Sequence, residues 1–242
     1  KYPKLESTGS MLAPKLLGSY ESEIADVFLA PELAQYEAVI DVGCAEGFYA
    51  VGIARLNPGC TVYAYDISPI AQGLCRSLAE YNDVSDRVQI GGLCSEAELA
   101  VCDGKRVLVI SDCEGAEMSL FNESAIARLQ TADLVIEVHE HLGANLDTLV
   151  NRFSSTHSCE VVRCIMDADR LETYQHPLVD ELSDQWRVML VAECRSRATC
   201  WLIARSRIAT SAMASSSPIT SRRVQTVVSH GDPVKATKRS LI

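Results

Sequence analysis

The sequence contains no apolar run of the ~18 residues that a membrane-crossing helix needs. Residues 1–10 are polar and lack the apolar stretch of a secretory leader, so no signal peptide is expected. Its ten cysteines include no pair three apart, which excludes a Cys-x-x-Cys zinc or redox site. Most stand inside apolar stretches, as buried thiols do, so a disulfide scaffold is not expected and a reducing cytosol is the expected home. Positive charge is scarce before residue 205. Seven of the 22 basic residues and one of the 32 acidic ones lie in 205–242, leaving 15 against 31 ahead of them, net −16. So acidic a body repels phosphate backbones and argues against a nucleic-acid substrate.

What remains is the composition of a globular protein, 48% apolar and 22% charged over 242 residues, enough for one sizeable domain. Apolar positions in 16–28 predict a helix, and Pro31 a short second one. Strands are predicted at 38–42, 61–65, 87–90, 106–111, 134–138, 160–165 and 199–204. Helices are predicted between them at 48–56, from 69 to about 82, 96–101, 118–130 and 146–153. Ser68 is a helix cap with Pro69 at the first helical position. Strands alternating with helices predict a doubly wound α/β sheet with right-handed crossovers. Segments 1–20 and 166–190 carry no readable motif. From 205 onward the periodicity vanishes and Ser, Ala and Thr dominate, which predicts a disordered basic tail. The expected division is an N-terminal helical segment 1–37, a ligand-binding domain 38–204 and a tail 205–242.

Doubly wound sheets bind ligands beyond the carboxyl ends of their strands. The first such turn reads Asp41-Val42-Gly43-Cys44-Ala45-Glu46-Gly47. It lacks the middle glycine of a Gly-x-Gly-x-x-Gly dinucleotide loop and carries a carboxylate that would oppose a pyrophosphate. P-loop spacing is absent as well. A cation would be tolerated there.

Strand, Asp-x-Gly-x-x-x-Gly, helix resembles the first motif of the class I S-adenosylmethionine (SAM) methyltransferases. The resemblance implies a seven-stranded Rossmann-like sheet with helices on both faces, and SAM as cofactor. It places the methionine part against Asp41, Gly43, Cys44, Ala45, Glu46 and Gly47. It places the ribose hydroxyls on Asp66 at the end of the second strand, beside Ile67, and the adenine near Cys94. The fourth strand runs into Asp112-Cys113-Glu114-Gly115-Ala116-Glu117, which resembles the signature of the FkbM-like methyltransferases, most of them O-methylating; the resemblance spans roughly 16–204. Asp112 is carried over as a cofactor contact. His139 and Glu114 are the candidate bases, His139 with the intrinsic pKa of ~6.5 suited to the task. Glu114 and Glu117 are alternatively caps of the next helix, and Tyr20 and Glu21 candidates to close the site.

No metal is assigned, because the Asp-plus-Asp-Asn pattern of catechol-type O-methyltransferases is not matched. Asp112, Glu114, Glu137 and His139 are nevertheless of the type and place to converge as ligands. The expected partner is a small-molecule or sugar acceptor, with no nucleic acid and no membrane; the oligomeric state is not legible. The alternatives are a non-catalytic nucleotide-binding protein of the same fold, or an N-methyltransferase. The Asn/Asp-Pro-Pro-Tyr of base N-methylation is not present after the fourth strand, where Ser111-Asp112-Cys113-Glu114 stands.

Overall fold

A computed structural model of the chain describes residues 1–29, 31–194 and 199–208. Seven strands form one sheet: β1 (Ala38–Val42), β2 (Thr61–Tyr65), β3 (Val88–Gly91), β4 (Val107–Ser111), β5 (Asp133–Val138), β6 (His157–Arg163) and β7 (Cys200–Ser206). Their spatial order is β3-β2-β1-β4-β5-β7-β6. The first five run parallel, and β7 inserts antiparallel between β5 and β6. β1, β4 and β5 are buried along their whole length, as a sheet covered on both faces requires.

Alternate strand residues feed two separate cores. Val39, Val62, Leu108 and Val135 pack with α3 (Phe48–Leu56), α4 (Pro69–Tyr81) and Phe28 of α2 (Ala25–Leu29). Ile40, Val109, Leu134 and Leu202 pack on the other face with α6 (Glu123–Arg128) and α7 (Leu146–Phe153). The doubly wound α/β architecture expected from the sequence is therefore the one observed.

Three expectations are corrected. The helix expected at 16–28 is two helices, α1 (Leu12–Leu17) and α2. Gly18 ends α1 in the left-handed conformation at φ 73°, where a side chain would be strained. The helix expected at 118–130 is also divided, into α5 (Glu117–Leu120) and α6, because the Asn122 side chain accepts the Ala125 amide and starts a new cap. Segment 166–190, which carries no readable motif, folds into α8 (Asp167–Thr173), α9 (Pro177–Asp180) and α10 (Asp184–Val191). The last strand, expected to end at 204, runs on to Ser206, whose amide donates to Asp133 Oδ1 and whose hydroxyl donates to the Gln130 carbonyl. The expected tail beyond Ile208 lies outside the described residues.

Among the described residues, no helix is long and apolar enough to cross a membrane. All ten cysteines are free and seven are buried.

Candidate functional site

The carboxyl ends of β1, β2 and β4 are stitched together by backbone. The amides of Gly43 and Cys44 donate to the Tyr65 carbonyl, and the Asp112 amide donates to the Val42 carbonyl. Gly43 has φ 82°, and a Cβ on it would stand 1.8 Å from the Asp112 carbonyl oxygen, so only glycine lets the first turn pass under β4. Gly47, at φ 94°, faces the Cys75 side chain of α4, and a Cβ on it would stand 2.7 Å from the sulfur.

These strand ends floor a cleft of about 620 Å³, inside the ~300–1,000 Å³ range of small-molecule sites. Asp41, Gly43, Cys44, Ala45, Asp66, Ile67, Cys94 and Asp112 all line it. Asp66 is fixed by two amides: Ala45 donates to Oδ2 at 3.0 Å and Ser68 to Oδ1 at 2.8 Å. One carboxylate thus ties the first turn to the second strand, and each oxygen keeps lone pairs facing the cleft. Asp41 is buried, and its Oδ2 has no hydrogen-bond partner. Burial pushes its carboxyl up to about 7, although a hydrogen bond from Ala50 opposes the rise.

Glu46 does not face the cleft. It is buried on the other side of the turn, where Lys15 Nζ approaches Oε1 to 2.5 Å, the Tyr2 hydroxyl donates to the same oxygen and the Thr8 amide donates to Oε2. These bonds anchor the N-terminal segment to the turn. Gly47 likewise shapes the turn without lining the cleft. Lys15 went unnoticed in the sequence. It is buried, lies over the rings of Tyr20 and Phe48 at 4.7 and 5.4 Å, and lines the cleft. Its only signal is an isolated cation within Met11-Leu12-Ala13-Pro14-Lys15-Leu16-Leu17.

A second cavity of about 260 Å³ adjoins the first and shares Tyr20, Asp112 and Glu114 with it. Glu21, Glu137 and His139 also line this chamber, with His141, Glu193, Cys194 and Thr199, so Tyr20 and Glu21 stand in its wall. Glu21 is buried at φ 45° and accepts the Tyr49 hydroxyl. His139, at the end of β5, sets Nδ1 2.6 Å from Glu117 Oε1. Burial alone would lower the His139 pKa; the hydrogen bond to Glu117 and the charges of Asp112 and Glu137 outweigh it and push the ring up to about 9. The shift is upward from the intrinsic ~6.5 of the free ring. Burial would raise Glu117, and the bond from His139 together with amides holds it below the usual carboxylate range. Glu114, with 70% of its side chain exposed, stands 3.6 Å from His139 Nε2. Of the four residues named as able to converge, Asp112, Glu114 and His139 bring one ligand atom each within 4.8 Å of the others, while Glu137 groups instead with Glu21 and Asp112.

A model of the family described as ribosomal protein L11 methyltransferase (PrmA) matches residues 27–112. That stretch carries the first turn, Asp66 and all of β1–β4. The fold is a seven-stranded, doubly wound Rossmann-like α/β sheet. Solved structures share part of it. One is titled precorrin 8w decarboxylase, from Methanobacterium thermoautotrophicum: 14% identity, 77% of this chain and 90% of that one, TM-score 0.49. StiE O-MT shows 14% identity over 77% and 74% of the two chains, TM-score 0.48. Geranyl diphosphate C-methyltransferase from Streptomyces coelicolor A3(2) shows 12% over 77% and 76%, TM-score 0.46. No curated protein matches the sequence. The FkbM-like likeness of 112–117 stays a resemblance in sequence.

Proposed function

We propose that this chain is a SAM-dependent methyltransferase that methylates a hydroxyl of a small molecule or sugar. The observation that carries the reading is the pairing of Asp66 with the 41–47 turn over one cleft. The donors fit the cofactor. Asp41 Oδ2 is a buried acceptor without a donor, which suits an ammonium group. Asp66, already oriented by two amides, suits a ribose diol. Ile67, Leu93 and Cys94 offer an apolar edge for a base. When bound, SAM supplies a methyl group on a sulfonium.

The chain's own residues then mainly align the acceptor, and positioning of this kind is worth ~7–11 kcal/mol. The adjoining chamber is the proposed acceptor site, with Glu114 and His139 in its wall. An acceptor oxygen forms the new bond to the methyl carbon as the bond to sulfur breaks, and the hydroxyl proton departs to water. The FkbM-like motif favours oxygen as the acceptor atom.

Titration calorimetry with S-adenosylhomocysteine tests the cofactor assignment. Asp66→Ala removes a charge-assisted contact worth ~1.5–3 kcal/mol, so affinity should fall ~10–150-fold. Unchanged affinity would take Asp66 out of the site.

A further inference from the structure

At the seam of the two cavities, β4 and β5 end in donors that methyl transfer as described leaves unused. Only 6% of the His139 side chain is exposed. Its Nδ1 faces Glu117 Oε1, and an ionised carboxylate can only accept, so Nδ1 carries the hydrogen. In the neutral ring the Nε2 lone pair then points away from Glu117. Nε2 stands 3.5 Å from Asp112 Oδ1, 3.6 Å from Glu114 Oε2 and 3.9 Å from Glu137 Oε2. Asp112 Oδ1 is closed off from solvent and has no hydrogen-bond partner. Glu137 is engaged by the Thr199 hydroxyl and Glu21 by the Tyr49 hydroxyl. Neither Lys nor Arg is among the described residues lining this chamber. Apart from the His139 ring, no cation or donor among the described residues serves Asp112 Oδ1, and a buried carboxylate oxygen so placed is costly; a metal ion would take the Nε2 position and displace any proton there.

We propose that Asp112, Glu114 and His139 bind one divalent metal ion of the Mn²⁺ type. Bonds of ~2.0–2.3 Å place two ligands of one ion ~3–4.5 Å apart, which the mutual separations within 4.8 Å accommodate after small side-chain movements. A carboxylate behind the ligating ring is the usual second shell of a metal-bound histidine, and Glu117 supplies it. Two carboxylate oxygens with one imidazole nitrogen form a mixed set. That set suits Mn²⁺ better than the all-oxygen shells of Ca²⁺ or Mg²⁺. Three protein ligands leave positions open toward the chamber. The ion's role rests on the methyltransferase reading: it would hold the acceptor oxygen and make its hydroxyl more acidic. Its existence does not depend on that reading.

The test uses the full chain, stripped by chelator and saturated with S-adenosylhomocysteine, titrated with Mn²⁺ and followed by calorimetry and electron paramagnetic resonance. One equivalent should bind. Glu114→Gln, at an exposed position, should weaken Mn²⁺ at least ~10-fold, and Glu117→Gln, which does not line the cofactor cleft, ~10–100-fold while keeping S-adenosylhomocysteine affinity within a few-fold. No uptake, uptake unchanged by Glu114→Gln, or capture of an organic ammonium probe in place of Mn²⁺ overturns the proposal. Uptake with these losses but no S-adenosylhomocysteine binding would uphold the metal site and remove the methyltransferase reading.

Discussion

Asp41 sits at the carboxyl end of β1 with an oxygen that no donor reaches. Burial raises its carboxyl to about 7. An ammonium ligand favours the ionised form, so below that value binding must first expel a proton. Affinity for S-adenosylhomocysteine should therefore fall ~10-fold for each pH unit below about 7 and level off above it. Asp41→Asn should bind more weakly at pH 7.5 and lose this dependence. Calorimetry between pH 5.5 and 7.5 checks it, and a flat wild-type profile would place the ammonium elsewhere. Asp41, Gly43 and Asp66 were legible because their roles are local to one turn and the next strand end. The contact of Glu46 with Lys15 was not legible, because Lys15 stands 31 residues earlier and meets it only through packing. The position of His139 was legible and its chemistry was not. Of the carboxylates that move its pKa, Asp112 and Glu117 come from 27 and 22 residues earlier, after β4, and Glu137 from two residues earlier on β5.

The elements read well where the chain punctuates itself. β1, β2, α3 and α7 match their predicted bounds because an apolar run or amphipathic face stops at a strong turn signal. Predicted helices ran on where the break was a cap. Gly18 and Asn122 end or begin helices through backbone conformation and one side-chain bond, which hydrophobic spacing does not register. Helices α8–α10 were missed because they leave Leu178, Trp186 and Met189 exposed and so lack a clear apolar face. They are held by buried Arg170, which reaches Glu23 at 3.2 Å and Glu193 at 2.9 Å. At the other end, α1 is fixed by the Lys15–Glu46 pair, both side chains 2% exposed. Lys15→Met strands a buried carboxylate and should cost ~3–5 kcal/mol in denaturant unfolding. The double variant Lys15→Met/Glu46→Gln should recover much of that. A single variant within ~0.5 kcal/mol of wild type would mean that the pair does not anchor the segment.

At the scale of the molecule, the sheet order brings four strand ends from distant parts of the sequence to one rim, and acidic residues stand on each of them. The turn floor carries Asp41 and Asp66, and the neighbouring chamber carries Asp112, Glu114 and Glu137. Such a rim accepts a cationic nucleoside and repels an anionic pyrophosphate. The most direct measurement is a side-by-side calorimetric titration of the full chain with S-adenosylhomocysteine and with NAD at pH 7.5. The account predicts one-to-one binding of S-adenosylhomocysteine with Kd of order ~1–100 µM, by analogy with the usual range of substrate affinities, and no heat from NAD. Saturable binding of NAD without binding of S-adenosylhomocysteine would contradict it.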